Sequence, residues 1–132
     1  MLKKRYVHAE AAFQTNVVRM LRTAGFYVFA VSNGWGKMNV MQAARAKDEG
    51  IMPGVSDLII LLPKGKVHFV ELKNLNGKGR QSPAQRAFQE QVEYLGNQYH
   101  LWASWADVEG FINDHRKEAK NMEDDLKVGG TD

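Results

Sequence analysis

Hydrophobic residues recur at three- and four-residue intervals from His8 to Ala24, and Gly25 follows directly. This spacing predicts an amphipathic helix that ends at the glycine. A second helix is predicted to begin at Ser82-Pro83-Ala84-Gln85, because serine is a good N-cap, proline suits the first helical position and glutamine at the third closes a capping box. Its apolar face continues to Leu95, and Gly96 ends it.

Four apolar runs rich in β-branched and aromatic residues predict strands. They are Phe26 to Ser32, Val55 to Leu62, Val67 to Lys73 and Tyr99 to Ser104, and a last helix from about Ala106 to Ala119 follows them. The long segment from Asn33 to Gly54 holds four glycines and is compatible with a short helix over Met38 to Glu49. The predicted order is α-β-β-β-α-β-α, with one domain over residues 1–120 and a flexible acidic tail over residues 121–132.

Two charged side chains interrupt the apolar face of the strand Val67 to Lys73. Because side chains alternate along a strand, Glu71 and Lys73 share a face with Phe69, whereas His68 points to the other face and is interpreted as structural or surface. The other three histidines show no metal-ligand spacing. An ionised group at a core position costs several kcal/mol unless it is paired or binds a metal. Glu71 and Lys73 are therefore candidates for chemistry rather than packing.

Asp57 opens the preceding strand, so its carboxylate and that of Glu71 could reach one divalent cation from neighbouring strands. The backbone carbonyl of Leu72 lies beside them as a third, neutral ligand. Such a cation lowers the pKa of bound water and neutralises charge on a phosphate. Lys73 could orient or deprotonate the attacking water, or hold the scissile phosphate. The pattern indicates hydrolysis of a phosphodiester.

The composition limits the class of protein. The 132 residues, 44% of them apolar, suffice for one domain with a core. The absence of cysteine excludes disulfides and zinc-thiolate sites, and no apolar run approaches the roughly 20 residues of a membrane span, so a cytoplasmic protein is expected. The net charge of +3 combines −2 over residues 117–132 with +5 over residues 1–116. That is only a mild bias toward a polyanionic partner.

Three blocks of sequence resemble successive motifs of the VRR-NUC family of the PD-(D/E)XK nuclease superfamily. They are Ala43 to Leu58, Phe69 to Lys73 and Ser82 to Gln85, and with the first helix they cover most of residues 8–106. An aspartate followed by Glu-x-Lys is weak evidence alone, and the flanking blocks strengthen it. Ser56 stands where the superfamily motif has proline, a change of little consequence because proline contributes no ligand.

The resemblance implies a restriction-endonuclease-like α/β core with a central mixed sheet flanked by helices. It implies that Asp57 and Glu71 bind Mg²⁺ or Mn²⁺, that Lys73 is the catalytic lysine and that Gln85 belongs to the outer part of the site. It also points to Glu10 on the first helix as a catalytic or metal-binding residue. The expected activity is endonucleolytic cleavage of branched or structured DNA, as in stand-alone phage or bacterial members that resemble Holliday junction resolvases.

Each candidate residue also has a structural interpretation. Glu10 is equally explained as a solvated residue in a first turn, although it continues the stripe of the helix's apolar face. Gln85 suits a capping box on Ser82 whether or not it touches the site. Glutamate and lysine side chains at positions like those of Glu71 and Lys73 form surface ladders of charge pairs in many sheets. Only the set of Asp57, Glu71 and Lys73, taken with its flanking sequence, favours a nuclease site.

Basic residues near the predicted site are candidates for contacts with DNA phosphates. Lys78 and Arg80 lie in a glycine-bearing loop before the helix capped by Ser82, whose N-terminal dipole attracts phosphate. The alternative is a flexible charged loop. Weaker candidates lie in the long segment before the second strand: Arg45, Lys47, Lys37 and Trp35.

A homodimer is expected, because a four-way junction has two strands related by a two-fold axis and one domain supplies one active site. The predicted interface is the last helix, through Val108, Phe111 and Ile112, or the segment around Trp35. Two other functions stay open, a non-catalytic nucleic-acid-binding module and an RNA nuclease of the same fold. The intact triad argues against the first of these.

Overall fold

The computed structural model describes residues 2–31, 38–73 and 80–129, with side chains from residue 11 onward except at residues 123 and 127–129. Eight elements follow one another along the chain: α1 (Leu2–Thr23), β1 (Tyr27–Ala30), α2 (Val40–Asp48), β2 (Leu58–Leu62), β3 (Lys66–Leu72), α3 (Pro83–Tyr94), β4 (Gln98–Trp102) and α4 (Trp105–Gly129). Within these ranges no helix is both long and apolar enough to cross a membrane.

The four strands form one mixed sheet in the order β1-β2-β3-β4. β1 pairs with β2 and β2 with β3 in antiparallel fashion, and Leu58 lies opposite Val70. β3 and β4 are parallel, with Glu71 opposite Leu101, and α3 provides the crossover that a parallel connection requires. The predicted α/β class with a mixed sheet between helices is confirmed.

The hydrophobic core fills the space between one face of the sheet and the helices α1 and α4. Alternate strand residues such as Val28, Ile60 and Val70 point into it, as the period of two requires. The opposite face carries α3, whose Phe88 contacts Phe69 of β3 with ring centroids 5.4 Å apart. On that face three apolar side chains of β1 and β2 stay exposed: Tyr27, Phe29 and Leu61.

The structure corrects two expectations about α4. Val108, Phe111 and Ile112 are buried in the core of the single chain, so the prediction that they form a dimer surface is wrong. The helix also continues past Ala119 to Gly129, through the first nine residues of the segment interpreted as a tail. Four of the nine residues from 121 to 129 are good helix formers, and Ala119 and Met122 pack against the core.

Two capping boxes start the shorter helices. In α2, the Asn39 side chain accepts a hydrogen bond from the Gln42 backbone and the Gln42 side chain accepts one from the Asn39 backbone, so the short helix in the long segment is confirmed. In α3, Ser82 and Gln85 form the same reciprocal pair, with Pro83 in the first turn as predicted. The cap of α3 fixes Gln85 at the end of the sheet where β3 ends.

Candidate active site

Asp57 lies one residue before β2, where the chain enters the sheet. Its backbone carbonyl accepts a hydrogen bond of 2.9 Å from the backbone N–H of Val31, which holds it beside the end of β1. Its Oδ2 accepts one of 2.8 Å from the backbone N–H of Leu72. The Asp57 carboxylate is therefore held against Leu72, the last residue of β3.

Glu71 lies on β3 on the face that α3 covers, and only 4% of it is exposed. Its Oε1 accepts a hydrogen bond of 2.8 Å from Nε2 of Gln85. Its Oε2 is buried and has no hydrogen-bond partner among the described residues. One carboxylate oxygen is thus held by the protein and the other is available for a ligand.

Lys73 follows the end of β3, and its backbone N–H donates to the carbonyl of Trp102 at 2.8 Å. Its Nζ donates to Oε1 of Gln85 at 2.8 Å and to the backbone carbonyl of Arg80 at 3.3 Å. The distance from Nζ to Oε1 of Glu71 is 3.9 Å, with both side chains largely buried. Lys73 is therefore anchored by neutral acceptors beside the carboxylate.

Gln85 connects the carboxylate and the ammonium. Its amide group donates from Nε2 to Glu71, while Oε1 accepts from Lys73 and, at 2.9 Å, from the backbone N–H of Ser82. The sequence offered two roles for Gln85, a capping box on Ser82 and a place in the outer part of the site. The same side chain caps α3 and contacts both charged groups. Each of its hydrogen bonds restricts the amide to a single orientation.

Gly54 lets the loop before β2 approach the first turn of α3. Its φ of +82° is rare for residues with a side chain, and a Cβ built there would lie 2.4 Å from the backbone carbon and oxygen of Ala84. Ala84 immediately precedes Gln85. The glycine therefore allows the loop that leads into Asp57 to pack against the helix that carries Gln85.

Burial dominates the electrostatics of the two carboxylates. Loss of solvation, followed by the nearby charge of Asp57, raises the pKa of Glu71 to about 8. The pKa of Asp57 is also raised, chiefly by burial, although the Leu72 N–H and the charge of Lys73 act in the opposite direction. A hydrogen bond between the two carboxyl groups also raises the pKa of Glu71 and lowers that of Asp57, so either a shared proton or a cation allows the pair to be buried together.

These features fit a divalent cation. Mg²⁺ and Mn²⁺ prefer oxygen ligands, and Mg²⁺ is commonly held by one or two carboxylates while it keeps several waters. Asp57 and Glu71 supply the carboxylates, and Oε2 of Glu71, which has no hydrogen-bond partner among the described residues, is an oxygen that could coordinate such an ion. Among the described residues, no group of three or more acidic, histidine or cysteine side chains is arranged to hold a metal.

The remaining predicted residues are distributed around this site. Arg80 contacts Lys73 through its carbonyl, while its side chain is exposed, and Ser82 caps α3. Arg45 and Lys47 are exposed on α2. The side chain of Glu10 lies outside the described residues, although its backbone belongs to α1, and other predicted positions lie wholly outside them: Lys78, Lys37 and Trp35.

One polar cluster beside the site was not predicted from the sequence. The Nε2 of Gln81 donates to Oε1 of Gln89 at 2.8 Å and to the hydroxyl of Tyr99 at 3.2 Å. Burial raises the pKa of Tyr99 to about 12, with a smaller contribution from the charge of Glu71. Gln85 and Gln89 are four residues apart on α3 and so lie on the same side of the helix. This spacing in the sequence could have predicted a row of polar side chains that faces the sheet.

Histidines on the opposite face of β3 also come together. Nδ1 of His68 and Nε2 of His100 are 2.9 Å apart, and the rings of His68 and His115 lie 5.0 Å apart. His68 is 3% exposed and faces away from Glu71, as its position in the strand predicts. The sequence left a structural and a surface role open for His68. Its burial supports the structural role and contradicts the surface one, and the contact with His100 was not foreseen.

Comparison with known proteins identifies the fold. A solved structure described as a VRR_NUC domain protein matches 83% of this chain and 89% of its own with a TM-score of 0.67, and one described as a VRR_NUC domain matches 80% and 95% with a TM-score of 0.58. Both are 23% identical to this chain. No family profile and no curated protein matches the sequence. The chain therefore shares its fold with these VRR_NUC domains.

Proposed function

We propose that this protein is a VRR-NUC-type endonuclease that hydrolyses phosphodiester bonds in DNA with Mg²⁺ or Mn²⁺. The observation that carries the proposal is the buried Oε2 of Glu71, which has no hydrogen-bond partner among the described residues and lies next to Asp57 and to an anchored Lys73. A buried carboxylate oxygen without a partner costs free energy, which a proton or a cation offsets. Lys73 beside the carboxylate favours a site for a phosphate and hence the cation. The shared fold with VRR_NUC domains supports the same conclusion.

The proposed metal ligands are Asp57, Glu71 and the carbonyl of Leu72, with Glu10 as a further candidate. A bound divalent ion lowers the pKa of water and stabilises negative charge on the phosphate. Asp57 and Glu71 would fix the position of the metal ion, because one oxygen of each carboxylate is held by the protein. The Leu72 N–H holds Asp57, and Gln85 holds Glu71. The remaining oxygens are directed by these contacts.

Lys73 is the proposed catalytic cation. Its Nζ is held by two neutral oxygens, those of Gln85 and Arg80, and lies 3.9 Å from Glu71, so its charge stays beside the acid without a closer ion pair. In this position it can hold the scissile phosphate or orient the attacking water. Gln85 is a positioning residue, since it sets the distance between the lysine and the glutamate.

We also propose that the substrate is branched DNA and that two copies act together. Paired incision of a four-way junction requires two active sites with matching symmetry. The exposed apolar face of β1 and β2 is the surface that best suits contact with a second copy, since α3 leaves Tyr27, Phe29 and Leu61 uncovered. The DNA contacts proposed for Lys78, Arg80, Ser82, Arg45 and Lys47 come from the sequence.

Incubation of the protein with labelled Holliday junction, flap, fork, single-stranded and linear duplex DNA tests the activity directly. We expect cleavage with Mg²⁺ or Mn²⁺, none with EDTA and cleavage slowed by about 10³-fold or more for Glu71→Gln. Metal-dependent binding without cleavage would instead support a non-catalytic module, and cleavage of RNA alone would support an RNA nuclease. Light scattering tests the assembly, and a monomer that still cuts junctions would exclude the paired mechanism.

A further inference from the structure

We propose that the groove between α1 and α4 binds a single strand of nucleic acid that extends away from the active site. The inference rests on the proposed nuclease function, because it names the route taken by a strand of the substrate. The groove forms a cavity of about 970 Å³. Its floor includes Met20 and Ala24 of α1, and Trp105 of α4 lines it as well.

The charges along the groove are all positive among the described residues that line it. Arg19 of α1 and Arg116 and Lys120 of α4 are exposed, and no acidic residue joins them in the described lining. None of the three forms an ion pair within the described part of the chain. The Arg116 guanidinium donates to the neutral side chain of Asn113 at 3.2 Å, so its charge is not compensated. The groove therefore favours an anionic occupant.

The groove is too long for a single nucleotide to occupy both ends. Trp105 and Lys120 lie on the same helix, and the rise per residue places them about 22 Å apart. A chain with repeated negative charges matches this spacing better than a compact ligand does.

Trp105 lies at the end of the groove nearest to the active site. It follows β4, whose last residue, Trp102, accepts the backbone hydrogen bond of Lys73. The indole of Trp105 is 37% exposed and contacts Phe13 edge to face, with ring centroids 4.9 Å apart. An aromatic ring that is supported on one side and open on the other is a platform on which a base can stack.

An aromatic platform in a positively charged groove is the arrangement with which proteins bind single strands. An acidic peptide would satisfy the cations as well, but it offers a ring to Trp105 only where an aromatic side chain falls in register, whereas every nucleotide of a single strand carries a base. A duplex keeps its base faces stacked within the helix, so it cannot use the platform. These features together favour a single strand over both alternatives.

Fluorescence anisotropy of labelled oligo(dT) in EDTA measures binding without cleavage. We expect the double variant Arg116→Glu/Lys120→Glu to bind about tenfold or more weakly, with the slope against log salt reduced by about 1.4 for two lost phosphate contacts. The control is Lys117→Glu on the same helix, which is exposed and does not line the groove, and its change in net charge, −2 against −4 for the double variant, is compared per reversed charge. It should bind within about twofold of the unchanged protein, given the screening of exposed charges at physiological salt.

A second variant tests the stacking. Trp105→Leu keeps an apolar contact for Phe13 and should weaken binding about fivefold or more without changing the salt slope. Circular dichroism melting verifies that each variant is folded. Equal binding by the groove variants and Lys117→Glu would overturn the proposal, as would displacement of the oligonucleotide by poly-glutamate at equal charge. Absence of cleavage with intact oligo(dT) binding would count against the nuclease function and not against the groove.

Discussion

The two faces of β3 bury titratable side chains with opposite consequences. On the face toward α3, burial raises the pKa of Glu71 to about 8 and leaves its Oε2 without a partner among the described residues. On the face toward α4, burial lowers the pKa of His68 to about 4, with help from the neighbouring charges of His100 and His115. The same loss of solvation thus disfavours an anion on one face and a cation on the other.

The difference lies in the charge that each side chain carries at pH 7, because one buried atom on each face, Oε2 of Glu71 and Nε2 of His68, lacks a hydrogen-bond partner among the described residues. A neutral imidazole is the ordinary state of histidine at pH 7, so His68 can pack among Phe111 and His115 without a counter-ion. Glu71 instead has to gain a proton or a cation to remain buried. Lys73 lies 3.9 Å from Oε1 of Glu71 and forms its closest contact with Gln85, so it does not form a close ion pair with the carboxylate.

Replacing the charge of Glu71 should have the largest effect. We expect Glu71→Gln to slow DNA cleavage about 10³-fold or more, because a bound cation loses an anionic ligand that supplies several kcal/mol of stabilisation. Stability should hold or rise, since Asp57 loses a repulsive neighbour. Gel assays at saturating Mg²⁺ and urea denaturation measure the two effects. Glu93→Gln, exposed on α3, is the control, and full turnover by Glu71→Gln would exclude the residue from the mechanism.

Replacing Gly54 tests whether the face of β3 that carries Glu71 depends on the close contact between the loop before β2 and α3. We expect Gly54→Ala to lose about 3 kcal/mol or more of unfolding free energy, because strain at positive φ adds to a clash with Ala84. Gly50→Ala is a matched control, since Gly50 also has positive φ but nothing within 4 Å of an added Cβ. It should lose about 1 kcal/mol. Equal losses in denaturant melts would show that backbone strain alone matters.

Acidic pH should lower the unfolding free energy through His68, on the face of β3 toward α4. The folded-state pKa of His68, about 4, lies below the unfolded value of 6.5, so the unfolded chain binds more protons between these values. The stability that depends on neutral His68 is therefore complete above about pH 6.5 and lost as pH falls toward 4, by up to about 3 kcal/mol. Unfolding free energies measured across this range should fall, and His68→Phe should flatten the curve. An unchanged slope in that variant would assign the acid sensitivity elsewhere.

Removing Lys73 should separate catalysis from metal binding. We expect Lys73→Ala to slow turnover about 10²-fold, or roughly 2.7 kcal/mol, the usual contribution of a positioned acid–base group. Calorimetry should still detect the metal, because its carboxylate ligands remain. Lys66→Ala, at the exposed start of the same strand, is the control and should cleave normally. Loss of metal binding in Lys73→Ala would make the lysine a structural residue.

Local patterns determined most of the fold in advance. The capping box of Ser82 and Gln85 depends on residues three apart, and the faces of β3 depend on alternation, so both can be read from neighbouring residues. The end of α4 was missed because its acidic composition suggested a tail. Tertiary packing of Ala119 and Met122 contributes to the helix there, and such contacts cannot be seen in local sequence.

The sequence alone determined which residues carry the candidate chemistry, since Asp57, Glu71 and Lys73 are charged groups within or at the ends of apolar strand-forming runs, where apolar packing does not explain them. Tertiary structure alone decided what each of them touches. Gln85 lies 14 residues from Glu71 along the chain, and His68 lies 32 from His100, yet each pair is in direct contact. Hydrogen bonding and desolvation act over a few ångströms in space, so the orphaned oxygen of Glu71 and the neutral His68 arise only when the sheet and helices have assembled.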